Sequence, residues 1–278
     1  MGIAISGAGF GTAVIAPFAT YLISNFGWRV AYIVIGVIAW LIVIPLSRLL
    51  KKDPYEIGVL PDGVKSDSKD IENEEDGLQP TSLSLLQAFR ARNFWLLMFI
   101  WLSFGSSLFL VLTHLVPHAT DTGFSAGEAA AVFSLTGGTA IVGRVLMGTV
   151  SDRMGRKLTA IICALLQAGA MAWLIWAQEL WMFYLFALVY GFAYGGIVPS
   201  VAALASDAFG LRQIGSIMGV LEVGLGVGAA IGPAIGGLIF DVSNSYSLAF
   251  LLGAVGMLIA TLFIALVRRE TNRNFEGG

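Results

Sequence analysis

The chain has 278 residues, of which 57% are hydrophobic and only 12% charged, and its mean hydropathy is +0.82. Soluble domains carry about 25% charged residues, so this composition excludes an ordinary soluble enzyme and points to a polytopic membrane protein. A formal net charge of -2 with no basic tail gives no support to nucleic-acid binding, and the single cysteine, Cys163, lies in an apolar run, excludes an intrachain disulfide and reads as a small packing residue.

A bilayer core about 30 Å thick takes roughly 20 helical residues. Eight segments reach that length. The first, Ile3–Ile23, is glycine-patterned and broken by Pro17. No Lys or Arg precedes Arg29, so it lacks the basic start of a signal peptide and reads as a spanning helix. Its Gly7-x-Gly9-x-Gly11 is not a nucleotide loop, because no strand precedes it. The second span is Val30–Leu50. Residues 51–92 form the one long polar stretch and hold nine of the 18 acids. There, Asp67 to Asp76 reads as a solvated linker, and Ser82 to Arg90 as a short surface helix capped near Thr81 or Ser82. Six more spans follow: Phe94–Val116, Ala126–Met147, Leu158–Ala177, Leu180–Ala203, Ile214–Phe240 and Leu248–Val267. The organisation is therefore two helices in 1–50, a linker in 51–92, six helices in 93–270 and a tail in 271–278.

The cations orient these spans. Fold them alternately, and Arg29 falls on one side while the other 15 of the 16 Lys and Arg fall on the opposite face or at helix ends facing it. By the positive-inside rule that face, with both termini, is cytoplasmic.

Between the fourth and fifth spans the chain reads G-T-V-S-D-R-M-G-R-K, Gly148 to Lys157. The glycines let two helix ends turn sharply, the cations hold the turn at the headgroups, and Asp152, among cationic neighbours, could latch one bundle against another. The stretch resembles the loop motif G-x-x-x-D-R-x-G-R-K of the major facilitator superfamily at every fixed position: Gly148, Asp152, Arg153, Gly155, Arg156 and Lys157. The chain also repeats itself. Gly7-x-Gly9-x-Gly11 with Pro17 in the first span matches Gly224-x-Gly226-x-Gly228 with Pro233 in the seventh, and Ala31-Tyr32 matches Ala249-Phe250. Repeats of this kind mark transporters built from two six-helix halves. The resemblance thus implies an all-α integral membrane protein with about eight transmembrane helices, corresponding to helices 5–12 of a twelve-helix major facilitator fold. Met1, two residues before a glycine-rich span, reads as a truncated start, with four helices expected before it.

Shorter patterns resemble the monocarboxylate and oxalate:formate-type branch. They are G-x-G-x-G…P…GWR-x-A-Y…P…G-V-L-P-D-G in residues 3–63, H-L-V-P-H-A-T-D-T-G-F-S in 114–125 and S-D-A-F-G-L-R in 206–212. In that branch an arginine in the position of Arg144, four residues before Gly148, contacts the substrate carboxylate. A guanidinium suits the role, being always charged and offering a planar fork; the alternative is a side chain that snorkels to the headgroups. Two departures bear on the substrate. Ala140 stands where the monocarboxylate branch has an aspartate, and no cation lies between Arg212 and Arg268, where the oxalate type has a lysine. One arginine compensates a monoanion better than a dianion.

Other ionisable residues are few, and inside a span each is a functional candidate. Glu222 in the seventh span is a candidate proton carrier or cation partner; alternatively it faces the polar loop or a helix-end cation. His114 and His118 lie four apart at the outer end of the third span. They make a poor metal pair, since Pro117 should disrupt the turn and no third ligand is evident. His114 is then expected at a pore mouth or at the membrane interface, able to titrate near neutral pH, with Asp121 and Glu128 in the outer loop and at a helix start. Gly224, Gly228, Gly232 and Gly236, with Pro233, line one helix face with small residues that let backbones pack closely in lipid. Gly191 and Gly195 repeat the device.

The implied function is a secondary active transporter of small, monocarboxylate-like organic anions. It would work by alternating access with proton coupling or anion exchange, in the cell (inner or plasma) membrane, without cofactor or metal. Its partners would be a small carboxylate, the lipid bilayer and protons. The alternative is a truncated, non-transporting remnant, or a half-transporter that needs a partner chain or self-association. An intramembrane enzyme has no support: there is no Gly-x-Gly-Asp pair, no His-Glu-x-x-His and no serine in a nucleophile setting.

Overall fold

The computed structural model describes residues 2–49, 85–210 and 214–267. They form helices α1 (Gly2–Phe26), α2 (Trp28–Leu49), α3 (Leu85–Arg90), α4 (Arg92–Asp121), α5 (Ala126–Met154), α6 (Arg156–Leu174), α7 (Leu180–Phe209), α8 (Ile214–Ser243) and α9 (Ser247–Leu266). No strand occurs among the described residues. Seven helices are long and apolar enough to cross a bilayer, and α1 adds the apolar stretch Val14–Phe26. Residues 51–84 of the expected linker, the cap of the surface helix, Arg212 and the C-terminal tail lie outside the described residues.

The chain divides into two compact units, Met1–Phe18 with Ser82–Gly278, and Ala19–Thr81. Within the second unit, α1 turns into α2 at Gly27. Its φ of +81° is a left-handed conformation that only glycine adopts without strain. The Arg29 guanidinium lies 4.5 Å from the centre of the Trp28 ring, a cation and an aromatic together at a helix start, as membrane interfaces favour. Trp40 and Leu41 on α2 are 72% and 69% exposed, a surface that suits lipid or another apolar helix.

In the larger unit α4 packs most extensively on α8, and α5 on α7. Helices α6 and α7, α4 and α9, and α6 and α9 also pair. Exchanging α4 with α7, α5 with α8 and α6 with α9 turns this set of pairs into itself. The bundle is therefore two three-helix units. Because three is odd, one is inverted relative to the other, a known transporter device.

Glycine sets the depth of both principal interfaces. A Cβ on Gly232 would lie 2.8 Å from the Ser106 carbonyl carbon, and one on Gly228 2.7 Å from the Ser106 nitrogen. Gly224 meets Met98, and Gly236 meets His114, so the whole four-residue series lies on α4. In return, Gly105 of α4 meets the backbone of Leu225. The other interface repeats the pattern: Gly191 and Gly195 of α7 meet the α5 backbone at Thr136 and Ala140, and Gly143 meets Phe192. With no hydrophobic drive between helices in lipid, such close packing supplies the attraction.

Several helices outrun their apolar stretches. α5 continues to Met154 rather than stopping at Met147, and α7 reaches Phe209 rather than Ala203. Helical hydrogen bonds do not need apolar side chains once the helix leaves the hydrocarbon, so hydropathy underestimates helix length. Pro117 lies inside α4, which continues to Asp121, so it does not end the helix as its sequence suggests.

Candidate functional site

The signature stretch is mostly helix. Gly148 sits within α5 with open space around it, and no turn requires it. The reversal is made by Gly155 alone, at φ +96°. Gly155 N–H donates to Ser151 O at 3.0 Å, and its own carbonyl accepts from Thr159 N–H at 3.2 Å, closing one helix and opening the next. Arg156, the first residue of α6, forms an ion pair with Asp207 on α7 and donates to the Ala203 carbonyl at 3.0 Å. Lys157 Nζ donates to the Val267 carbonyl, at the end of α9, at 2.9 Å. The two cations thus clip three helix ends together within one bundle. Asp152 and Arg153 are exposed, and among the described residues the only ion pair is that of Arg156 with Asp207. Within this bundle the bonds that join helix ends come from Arg156 and Lys157.

Arg144 lies deeper. It is 1% exposed, so it does not snorkel. Its Nη2 donates to the Tyr194 hydroxyl on α7 at 2.9 Å, and its guanidinium carbon lies 5.1 Å from the centre of that ring. The Tyr194 ring stacks on Phe104 of α4 with centroids 6.2 Å apart. Among the described residues Nε and Nη1 have no hydrogen-bond partner, and both are shut away from solvent. A lone buried cation in a span costs a few kcal/mol, and among the described residues no carboxylate pairs with this one. Tyr194 had no distinguishing spacing in the sequence. Asp207, a lone acid at the inner end of a span in the same stretch as S-D-A-F-G-L-R, carried a signal that pairing with a cation would have used.

The other two candidates lie elsewhere. Glu222 is exposed on α8 and has no ion pair among the described residues. His114 is 8% exposed. Its Nε2 is 3.0 Å from the Pro233 carbonyl, which can only accept, so Nε2 carries the proton. Its ring packs on Tyr246, with centroids 5.1 Å apart. His114 thereby ties α4 to α8 at the bundle end opposite the motif. His118, one turn on, packs against Phe183 and Phe250 with centroids at 5.3 and 5.2 Å. Tyr246 lies between α8 and α9, where burial first, and then the charges of Asp121 and Asp241, push its phenol up from the ordinary range. Ser125 and Glu128 form a reciprocal cap at the start of α5.

A membrane bundle of paired inverted units, with a cation-clipped turn and one buried arginine, defines a secondary-transporter fold. The sequence family model described as Major Facilitator Superfamily matches residues 1–151 and 115–277, and the chain belongs to that superfamily. It is 27% identical to monocarboxylate transporter 12 of Xenopus laevis over 96% of this chain and 60% of that protein. Against the human monocarboxylate transporter 12 it is 26% identical over 96% of this chain and 55% of that protein. The chain thus spans little more than half the length of these relatives. Among solved structures, the E. coli fucose:proton symporter FucP superposes with a TM-score of 0.58 at 18% identity, over 88% of this chain and 55% of that one. The human organic anion transporter MFSD10 gives 0.53 at 22% identity, over 66% and 42%. These proteins are membrane transporters, not enzymes.

Proposed function

We propose that the chain forms the larger part of a secondary active transporter of small organic monoanions, monocarboxylates above all, working by alternating access in the cell membrane with its termini cytoplasmic. The observation that carries this reading is Arg144: a buried, permanently charged guanidinium with two nitrogens unpartnered and no acid paired to it. A carboxylate would accept from Nη1 or from Nε, which lie on different edges of the guanidinium, while Tyr194 and Phe104 hold the fork in one orientation. Neither nitrogen is reached by solvent here, so the anion would enter in a more open conformation. Glu222, exposed on α8, is the candidate for proton coupling, since α8 buries only 22% of its spanning residues within the bundle. The expression of this reading is counterflow of labelled lactate, pyruvate, formate or oxalate in liposomes. Arg144→Ala should abolish it and Arg144→Lys should cripple it. Normal transport by both would refute the role. Glu222→Gln should make a pH-dependent rate pH-independent, and a variant indistinguishable from wild type would sink the coupling role.

The exposure of α5 and α8 favours a second reading. These helices bury 39% and 22% of their spanning residues, against 56% for α4 and α7. A half-transporter that acts only with a partner chain or a second copy would cover those faces. Counterflow absent from the purified chain and restored by a co-expressed partner would select this reading.

A further inference from the structure

We propose that the junction of α5 and α6 binds a phosphate-type oxyanion, presented by a membrane phospholipid or as free phosphate. This site is distinct from Arg144 and does not rest on the transport reading. α6 has 19 residues and begins at Gly155, which has no side chain to cap it. The first-turn amides of Arg156, Lys157 and Leu158 have no intrahelical acceptor, and they carry the positive end of the helix dipole. Such an end is a ready anion site, but it becomes one only where something else asks for a ligand.

Ser151 supplies that second observation. It is 5% exposed and lines the cavity of about 1000 Å³ that opens at this junction. Its Oγ has no hydrogen-bond partner, and among the described residues it is the one buried hydroxyl in that condition. Elsewhere on α5 the hydroxyls of Ser134, Thr136 and Thr139 return to the carbonyl four residues earlier, at 2.8 to 3.1 Å. The Ser151 hydroxyl does not, and so remains an unpaired donor beside the bare helix end, shut away from solvent in this conformation and reached by a ligand only on a small shift of that wall.

The charges set the ligand's valence. Arg156 is engaged with Asp207, and both line the cavity. Lys157 Nζ has one proton on the Val267 carbonyl and two to spare, while Asp152 is the remaining carboxylate. The wall is thus balanced, and the helix end with Ser151 decides the sign. A singly charged phosphodiester suits this better than a dianion. Leu158, 46% exposed on the same wall, offers apolar surface where an acyl chain would run.

The test uses the full purified chain in neutral maltoside micelles, with thermal unfolding followed by tryptophan fluorescence. Dioleoylphosphatidylglycerol, dioleoylglycerol and inorganic phosphate are titrated separately at constant ionic strength. The expected result is a saturable rise in Tm with phosphatidylglycerol and none with dioleoylglycerol. Ser151→Ala should weaken the apparent affinity about tenfold, the scale of one hydrogen bond to a charged group. Lys157→Gln provides a second variant should the first fail to fold. Saturation by inorganic phosphate at equal affinity would assign the site to the free ion; saturation by the lipid alone would assign it to the headgroup. No saturable rise with either phosphate probe, an equal rise with dioleoylglycerol, or wild-type affinity in both variants would overturn the proposal.

Discussion

Gly232→Ala and Gly226→Ala are the same substitution on the same helix, six residues apart, and they should behave oppositely. Both replace glycine by the best helix former, which favours the helix by about 1 kcal/mol. That gain cancels between them. The difference lies in what the new methyl meets. At Gly226 there is nothing within 4 Å. At Gly232 the Cβ would lie 2.8 Å from the Ser106 carbonyl carbon and 2.9 Å from its Cα, against ordinary contact at 3.4–4 Å. Both obstacles are backbone, so α4 and α8 must separate by about 0.5–1 Å, and dispersion falls off steeply over such a gap. Overpacking of this kind costs about 1–3 kcal/mol, so unfolding constants of the two variants should differ by roughly 5- to 150-fold at RT of about 0.6 kcal/mol. Reversible unfolding in dodecylsulfate-doped micelles, read by tryptophan fluorescence, measures the difference. Equal stabilities, or a Gly232→Ala protein more stable than Gly226→Ala, would refute the claim that glycine fixes this interface.

Within the signature turn, Gly148→Ala should leave thermal stability unchanged or raise it by up to about 1 kcal/mol. Gly155→Ala, placed at φ +96°, should lower it by about 1–3 kcal/mol; equal effects would show that the turn does not depend on one residue. Tyr194→Phe removes the hydroxyl that Arg144 Nη2 donates to. It should raise the KM for a transported monocarboxylate about tenfold with the expression level unchanged, and an unchanged KM would mean that the hydroxyl does not position the guanidinium. Because burial raises the Tyr246 phenol, the folded state holds that proton more tightly than the unfolded one. Stability from this source is complete below about pH 10, the unfolded value, and is lost as pH climbs through the folded value. Tyr246→Phe should flatten the decline in Tm above pH 10, and an unaltered slope would assign the decline to other groups.

Spans, helix count and the four-residue glycine series were legible because each depends on spacing along one line. A run of apolar residues registers its own length, and Gly224, Gly228, Gly232 and Gly236 register one face. Gly105 and Gly143 carry the same burden from the opposite helices, yet each is solitary and shows no period. Arg144 was visible as a charge in an apolar run; its burial was not, since depth depends on Phe104 and Tyr194 from two other helices. His114 was visible as a histidine near a helix end, but its contact with the carbonyl of Pro233, contributed 119 residues further on, was not. Hydropathy ends the fourth span at Met147, seven residues short of Met154, because the chain loses its apolar character at Gly148, while the helix ends where φ changes sign, at Gly155.

The pairing of α4 with α8 has a consequence for biogenesis. α4 ends at Asp121 and α8 at Ser243, so about 120 residues, or some 6–24 s of synthesis at 5–20 residues per second, separate the insertion of the two. During that interval the notch at Gly105 and the imidazole of His114 stand in the bilayer with neither their helix partner nor their carbonyl. Neighbouring α5 packs on α4 only lightly and cannot stand in. A ribosome stalled before Ile214 would therefore leave a membrane intermediate with a polar ring exposed along a groove shaped for a helix not yet made, the kind of surface that quality-control proteases and insertion chaperones read.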